Sequence, residues 1–261
     1  MRSATRVETV PRKEFVREFG RNYSDGHHLT AMGPTGRGKT TLCKQLLVTV
    51  ISPDRKALVL HGKIKGRDPV IGQMAEDCNL RIISSYPPRP DVRETAKHGR
   101  DKYRNGYILR PLDRHAENAA EENEILSREF RKGIHANYTT SSRKKRITVV
   151  DESHQAQETL KLKGDIEGPL MRGAPDNSVW NLLQRGRFVS YHCYSAPEHV
   201  IIFYDPDRTN QQRYSEIGDV DPEEIVAITS NLRTERSRDG RTISQALYMR
   251  RGDRYMCIVD T

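Results

Sequence analysis

The sequence predicts an α/β fold, a mainly parallel central sheet flanked by helices, and three observations predict it. Short aliphatic runs recur between segments of helical period. A glycine-rich turn, Gly33-Pro34-Thr35-Gly36-Arg37-Gly38-Lys39-Thr40, joins one such run to a helical pattern. The most strand-prone run, Ile147 to Val150, ends in two acids, Asp151 and Glu152. At 261 residues the chain can bury the core of one α/β domain and carry a small addition.

Along the chain, residues 1–25 are polar and mixed in charge, with an amphipathic stretch around Phe15, Val16 and Phe19, and read as an arm or lid. Leu29 to Met32 is a strand that enters the glycine-rich turn, and Thr41, Leu42, Leu46, Leu47 and Val50 keep helical spacing after it. Pro53 closes that helix, and Ala57 to Leu60 is the next buried strand. Arg81 to Ser84 and Tyr107 to Leu109 are further strands, followed by a charged helix from about Asp113 to Ile134. Ile147 to Val150, preceded by Arg143-Lys144-Lys145-Arg146, is expected to be a central parallel strand. Beyond it the pattern reads as a helix around Val179 to Gln184, then strands over Phe188 to Tyr194 and His199 to Tyr204, the last turning at Asp205-Pro206-Asp207. Pro222 to Leu232 is a helix with Asp221 as N-cap and Glu224 three residues on. After a charged connector, Leu247 to Arg250 and Tyr255 to Val259 form a terminal β-hairpin around Arg251-Gly252-Asp253. The expected organisation is an arm over 1–25, a core over 26–218, and a helix-plus-hairpin appendage over 219–261.

Composition narrows the partners. Lys and Arg number 44 against 35 Asp and Glu, a net charge of +9 that favours a polyanion. Four scattered cysteines without CxxC spacing indicate neither a zinc site nor a disulfide framework. No apolar run approaches the roughly 18 residues of a membrane span, and the start lacks the apolar region of a signal peptide, so no membrane partner and a cytoplasmic location are expected.

The chemistry gathers at two places. Gly33 to Thr40 fits G-x-x-x-x-G-K-[ST] at every fixed position, between a strand and a helix as the mechanism requires. Glycines let the backbone curl so that its N–H groups and the helix N-terminus face phosphate oxygens. Pro34, Thr35, Arg37 and Thr41 complete this cradle, Lys39 supplies a compact positive charge to the β and γ phosphates of ATP, and Thr40 is a ligand for Mg²⁺. Asp151 and Glu152 should stand at the carboxyl edge of the same sheet. Asp151 would then hold Mg²⁺, and Glu152 would polarise the attacking water. Arg185 and Arg187, in Leu-Leu-Gln-Arg-Gly-Arg, are candidates for an arginine that reaches a neighbouring subunit's ATP, with solvated surface as the alternative. Arg143 to Arg146 and the cluster Arg233, Arg236, Arg238 and Arg241 either contact phosphate backbones or form solvated loops. Tyr103 and Tyr107 fit no recognisable base-stacking pattern.

From about Gly26 to Gly218 the chain resembles the FtsK/HerA group of P-loop motor ATPases. The resemblance lies in His27-His28-Leu29-Thr30-Ala31-Met32 running into the glycine-rich motif, in several βα units between the two nucleotide motifs, in Val149-Val150-Asp151-Glu152, and in spacing that agrees with an inserted strand. It implies the additional-strand, catalytic-glutamate class of P-loop NTPases. Leu60-His61-Gly62-Lys63 resembles the family's second strand, with His61 where an acid is common. In that family the strand after the acidic one ends in a polar sensor, often Gln before Arg-Pro. Tyr194-Ser195-Ala196-Pro197 would put Ser195 in that role. The resemblance implies a homo-oligomeric ring that hydrolyses ATP with Mg²⁺ and moves double-stranded DNA, with a portal or nuclease as docking partner. Viral genome packaging is its most specific version. About 45 residues follow Gly218, too few for a nuclease domain, so a motor without its own nuclease is expected. A helicase or recombination ATPase on single strands, and an ATP-gated assembly module with slow hydrolysis, are the alternatives.

Overall fold

The computed structural model describes residues 7–62, 69–89, 105–111, 118–139, 145–172, 175–186, 189–236 and 242–260. Its frame is a ten-stranded sheet. In chain order the strands are β1 (Glu8–Val10), β2 (Leu29–Met32), β3 (Arg55–Leu60), β4 (Arg81–Ile83), β5 (Gly106–Leu109), β6 (Lys145–Val150), β7 (Asn177–Leu183), β8 (His199–Phe203), β11 (Ala246–Arg250) and β12 (Tyr255–Val259). β9 (Thr234–Arg236) and β10 (Thr242–Ser244) form a separate antiparallel pair within the segment expected as a connector. The spatial order is β1-β12-β11-β8-β2-β7-β6-β3-β5-β4. Every pairing from β4 across to β8 is parallel, whereas β11 lies antiparallel to both β8 and β12.

Register is what builds a site here. Leu60 pairs with Val150 and Leu109, and Met32 pairs with Leu183 and Ile202. The parallel strands therefore end nearly level, and whatever follows each of them emerges at one common edge. β7 lies between β2 and β6, so a strand is inserted between the one that feeds the glycine-rich turn and the one that ends in Asp151.

Both faces of the sheet are covered, as an all-parallel centre requires. On β3, Ala57 and Val59 face one core and Leu58 and Leu60 the other; Ile201 and Val200 of β8 divide the same way. The first face is packed by α1 (Arg12–Asn22), α2 (Lys39–Val50) and α3 (Pro69–Asp77), through Phe15, Phe19, Leu42, Leu46, Leu47, Ile71 and Met74. The second is packed by α4 (Ala119–Thr139), α5 (Ser153–Glu158), α6 (Lys163–Arg172) and α9 (Pro222–Ser230), with α7 (His192–Ser195) and α8 (Arg208–Gln211) as single turns between them. Asn118 starts α4 by accepting from the backbone N–H groups of Ala120 and Glu121, two donors that a helix cannot satisfy internally. Asp221 does the same for α9 through Glu223 N. Residues 113–117, where α4 was expected to begin, lie outside the described residues.

Two expected elements differ. Val179 to Gln184, expected as a helix, is instead the end of β7, through Leu183, with Gln184 directly after it. All seven residues of β7 are buried, so it has no polar face to show alternation, and Asn and Leu carry little strand preference of their own. Two of its polar side chains meet tertiary partners: Tyr23 Oη donates to Ser178 Oγ at 2.7 Å, and Ser153 Oγ donates to Asn181 Oδ1 at 3.0 Å. Within Phe188 to Tyr194, expected as a strand, the described part turns into α7. There Tyr194 is buried and donates to Gly186 O at 3.0 Å. A Cβ at Gly186 would stand 2.4 Å from that hydroxyl, so the loop closes only over glycine.

Candidate nucleotide-binding site

The glycine-rich turn leaves β2 at the common carboxyl edge and enters α2 directly. Gly33 has φ +144°, and a Cβ there would fall 2.7 Å from Cβ of Phe203; Gly38, the N-cap of α2, has φ +93°. Side-chain-bearing residues rarely adopt these angles, which explains the motif's glycines by backbone geometry alone. Lys39 is buried, with Nζ donating to Gly33 O at 2.5 Å and Pro34 O at 2.8 Å. The loop thus curls around its own lysine and leaves the first N–H groups of α2, those of Lys39, Thr40 and Thr41, at a helix N-terminus suited to an anion.

Asp151 follows β6 at the same edge. It is buried, its Oδ1 lies 3.4 Å from Thr40 Oγ1, and its Oδ2 accepts a 2.8 Å hydrogen bond from Nδ1 of His61 at the end of β3. A hydroxyl and a carboxylate oxygen this close are hard donors. They suit Mg²⁺, which takes one or two protein oxygens and fills its octahedron with phosphate oxygens and water. Cys43, on α2, is buried, and desolvation together with the Asp151 charge pushes its thiol well above the usual range, so it stays protonated.

Glu152 is the N-cap of α5 with φ 54° and ψ 48°, a left-handed conformation unusual for a residue with a long side chain. Its Oε1 accepts from Nε2 of Gln184 at 2.9 Å, and Gln184 Oε1 accepts from Thr35 Oγ1 at 2.8 Å. One amide therefore links the glycine-rich loop to the second acid.

No protein-family model matches this sequence, and none of the curated proteins does. Solved structures do match. The genome packaging NTPase B204 from Sulfolobus turreted icosahedral virus 2, in complex with AMPPCP, aligns at TM-score 0.55 and 11% identity over 90% of this chain and 97% of its own. B204, the DNA-packaging ATPase from Sulfolobus turreted icosahedral virus, aligns at 0.56 and 12% over 91% and 98%. VirB4 of Thermoanaerobacter pseudethanolicus aligns at 0.59 and 9% over 92% and 90%. The fold is that of a P-loop NTPase.

Within this P-loop fold the expected site residues divide. Gly33 to Thr41, Asp151 and Glu152 converge on one edge. Arg185 is exposed on the loop that leaves β7 next to Gln184, while Arg187 lies outside the described residues. Ser195 is on the opposite edge. It closes α7 just before β8, whose first residue bonds back to His28 at the start of β2 (His199 N to His28 O, 3.1 Å). A full strand length separates Ser195 from the glycine-rich loop, and the polar residue at the end of the strand beside β6 is Gln184. The fully buried β7 shows no strand alternation that would reveal it, and its visible signal in the sequence is Gln184 directly before Arg185.

The basic segments also separate. Lys145, at the amino end of β6, pairs with Asp25 at 2.7 Å, as does Arg55 at 2.5 Å, so this end of the Arg143 to Arg146 run is tied to the edge away from the site. Arg143, Lys144, Arg238, Arg241 and Tyr103 lie outside the described residues. Arg233 is exposed at the base of the β9–β10 pair, and Arg37 of the glycine-rich loop donates to Thr234 Oγ1 at 2.9 Å.

Proposed function

We propose that this chain is a Mg²⁺-dependent ATPase that works as a subunit of an oligomeric motor translocating double-stranded DNA, in the manner of a viral genome-packaging ATPase. The observation that carries the ATPase reading is the convergence of the Gly33 to Thr40 loop, the Thr40–Asp151 oxygen pair and the Gln184-held Glu152 on one sheet edge. The motor and DNA parts are supported by the net charge of +9 and by the two virus packaging enzymes that share the fold over nearly their whole length.

In this reading the loop N–H groups and Lys39 bind the triphosphate and stabilise charge on the transferred phosphoryl group, which is the main protein contribution to such reactions. Lys39 is already beside the site and exchanges loop carbonyls for phosphate oxygens. Thr40 and Asp151 would hold Mg²⁺, which when bound would supply positive charge to the phosphates. Glu152 orients and deprotonates the attacking water, and Gln184 fixes where its carboxylate points. Arg185, exposed beside Gln184, is the described candidate for an arginine offered to an adjacent subunit.

Steady-state hydrolysis tests this, wild type against Glu152→Gln, with and without duplex DNA at two salt concentrations. Wild-type turnover should rise with DNA and lose that stimulation as salt rises, since phosphate contacts release counterions. Glu152→Gln should keep ATP binding while turnover falls by about a hundredfold or more, the scale of a lost general base. Hydrolysis indifferent to DNA would remove the motor reading and leave the nucleotide site.

A further inference from the structure

We infer that His61 is a positioning residue for the candidate magnesium carboxylate: it holds one oxygen of Asp151 so that the other stays turned toward Thr40. The inference rests on the nucleotide-site reading above and goes beyond it by giving a role to a histidine where the resembling family commonly has an acid.

Asp151 and His61 leave neighbouring strands at the same level, because Leu60 pairs with Val150. Both backbones are fixed there: Asp151 N donates to Leu60 O and His61 N to Leu109 O, each at 3.1 Å. His61 is completely buried and Asp151 is 6% exposed, so neither ring nor carboxylate can swing into water without opening the sheet edge. A carboxylate only accepts, so the 2.8 Å contact fixes the proton on Nδ1 of the imidazole. With Oδ2 so engaged, Oδ1 is the oxygen that lies 3.4 Å from the Thr40 hydroxyl. The residue after His61 is also constrained: a Cβ at Gly62 would stand 3.2 Å from Oε1 of Gln155 on α5, so the chain leaves β3 close against the helix that follows the two acids.

The chemistry explains why a donor rather than an acid suits this geometry. A carboxylate at position 61 would face Asp151 at hydrogen-bond distance, and two such groups hold one proton between them rather than two negative charges. An imidazole N–H instead gives Asp151 a donor that orients one of its oxygens. Donors behind a metal ligand commonly set metal affinity by about ten- to a hundredfold.

The test is binding of a fluorescent ATP analogue to full-length protein, titrated with Mg²⁺ and repeated in EDTA, for wild type, His61→Ala, His61→Asn and His61→Gln, each checked by thermal melting. His61→Ala should weaken the Mg²⁺ dependence of nucleotide binding by about ten- to a hundredfold with EDTA binding unchanged. His61→Asn, whose amide nitrogen falls near the place of Nδ1, should restore most of it, and His61→Gln, whose amide reaches further, should not. Should the alanine variant not fold, the Asn and Gln pair still decides the matter. Wild-type Mg²⁺ dependence in His61→Ala, or equal impairment by Asn and Gln, overturns the positioning role. A wild type that binds no nucleotide even with Mg²⁺ overturns the nucleotide reading itself, which is a distinct result.

Discussion

Glu152 combines two features that seldom meet in one residue, a left-handed backbone and a side chain held by a neighbouring amide. A non-glycine residue in this region carries strain that its surroundings must hold in place. Here the surroundings are the end of β6, the first turn of α5 and Gln184. Gln184 matters because it also accepts from Thr35 in the glycine-rich loop, so a ligand that shifts Thr35 shifts the partner of Glu152. Replacing Gln184 by Ala should lower turnover by about ten- to a hundredfold while leaving ATP affinity near wild type, because the carboxylate loses its fixed direction but the loop keeps its N–H groups. Single-turnover hydrolysis beside equilibrium nucleotide binding separates the two effects; a loss of binding equal to the loss of turnover would place Gln184 in ground-state contact instead.

At the scale of elements, β1 and α1 take residues 8–22 into the body of the fold. β1 pairs with β12, and Phe15 and Phe19 of α1 are buried against the sheet. Phe19 packs edge-on to Trp180 of β7 at 5.8 Å between centroids and tilted over His199 of β8 at 4.9 Å. The terminal hairpin joins the same sheet through β11 and β8. A helix so placed is part of the core that positions β2 and β7. Phe19→Ala should therefore cost about 3–5 kcal/mol of unfolding free energy, the range for a large aromatic removed from a packed interior. Urea denaturation measures it, and a change below about 1 kcal/mol, typical of surface positions, would mean that α1 sits on the domain without supporting it.

Across the whole molecule, the edge opposite the candidate nucleotide site gathers buried polar groups from both ends of the chain. His199 Nδ1 bonds Tyr248 Oη at 2.9 Å, its Nε2 meets His27 Nδ1 at 3.1 Å, and Tyr23 stacks against its ring at 5.8 Å. Burial lowers the His199 pKa to about 3, with the His27 and Arg250 charges acting in the same direction and Asp253 opposing. His28, also buried, is lowered too, with Glu198 opposing. The native state keeps these rings neutral while the unfolded chain takes up protons below an ordinary histidine pKa near 6.5. The His199 contribution to stability is thus complete above about pH 6.5 and is lost as pH falls toward 3, at up to about 1.4 kcal/mol per pH unit, and His28 acts in the same direction. Denaturation midpoints between pH 7 and 4.5 should show this slope in wild type and a shallower one in His199→Gln; equal slopes would mean that other groups govern the acid transition. Among the described residues no helix is long and apolar enough to cross a membrane.

Local chemistry wrote part of this protein legibly into its sequence. Gly33 to Thr40 can be read because positive φ and phosphate approach demand glycines at fixed spacing, and Ile147 to Val150 because an aliphatic β-prone run ending in acids has few other uses. The Pro222 helix and the terminal hairpin were legible for the same reason, since caps and turns are set within a few residues. What tertiary structure alone decided is equally particular. β7 is a strand only because β2 and β6 hold it on both sides, and the Ser178 hydroxyl and the Asn181 carbonyl find their hydrogen bonds there only through Tyr23 and Ser153, far away in sequence. Gln184 then becomes the residue beside Glu152, and Ser195 falls to the other end of β8. The pairing of His61 with Asp151, 90 positions apart, follows from strand register, which no local preference encodes. Side chains that meet across a parallel sheet are chosen by the order of its strands, and that order is a property of the whole packed chain.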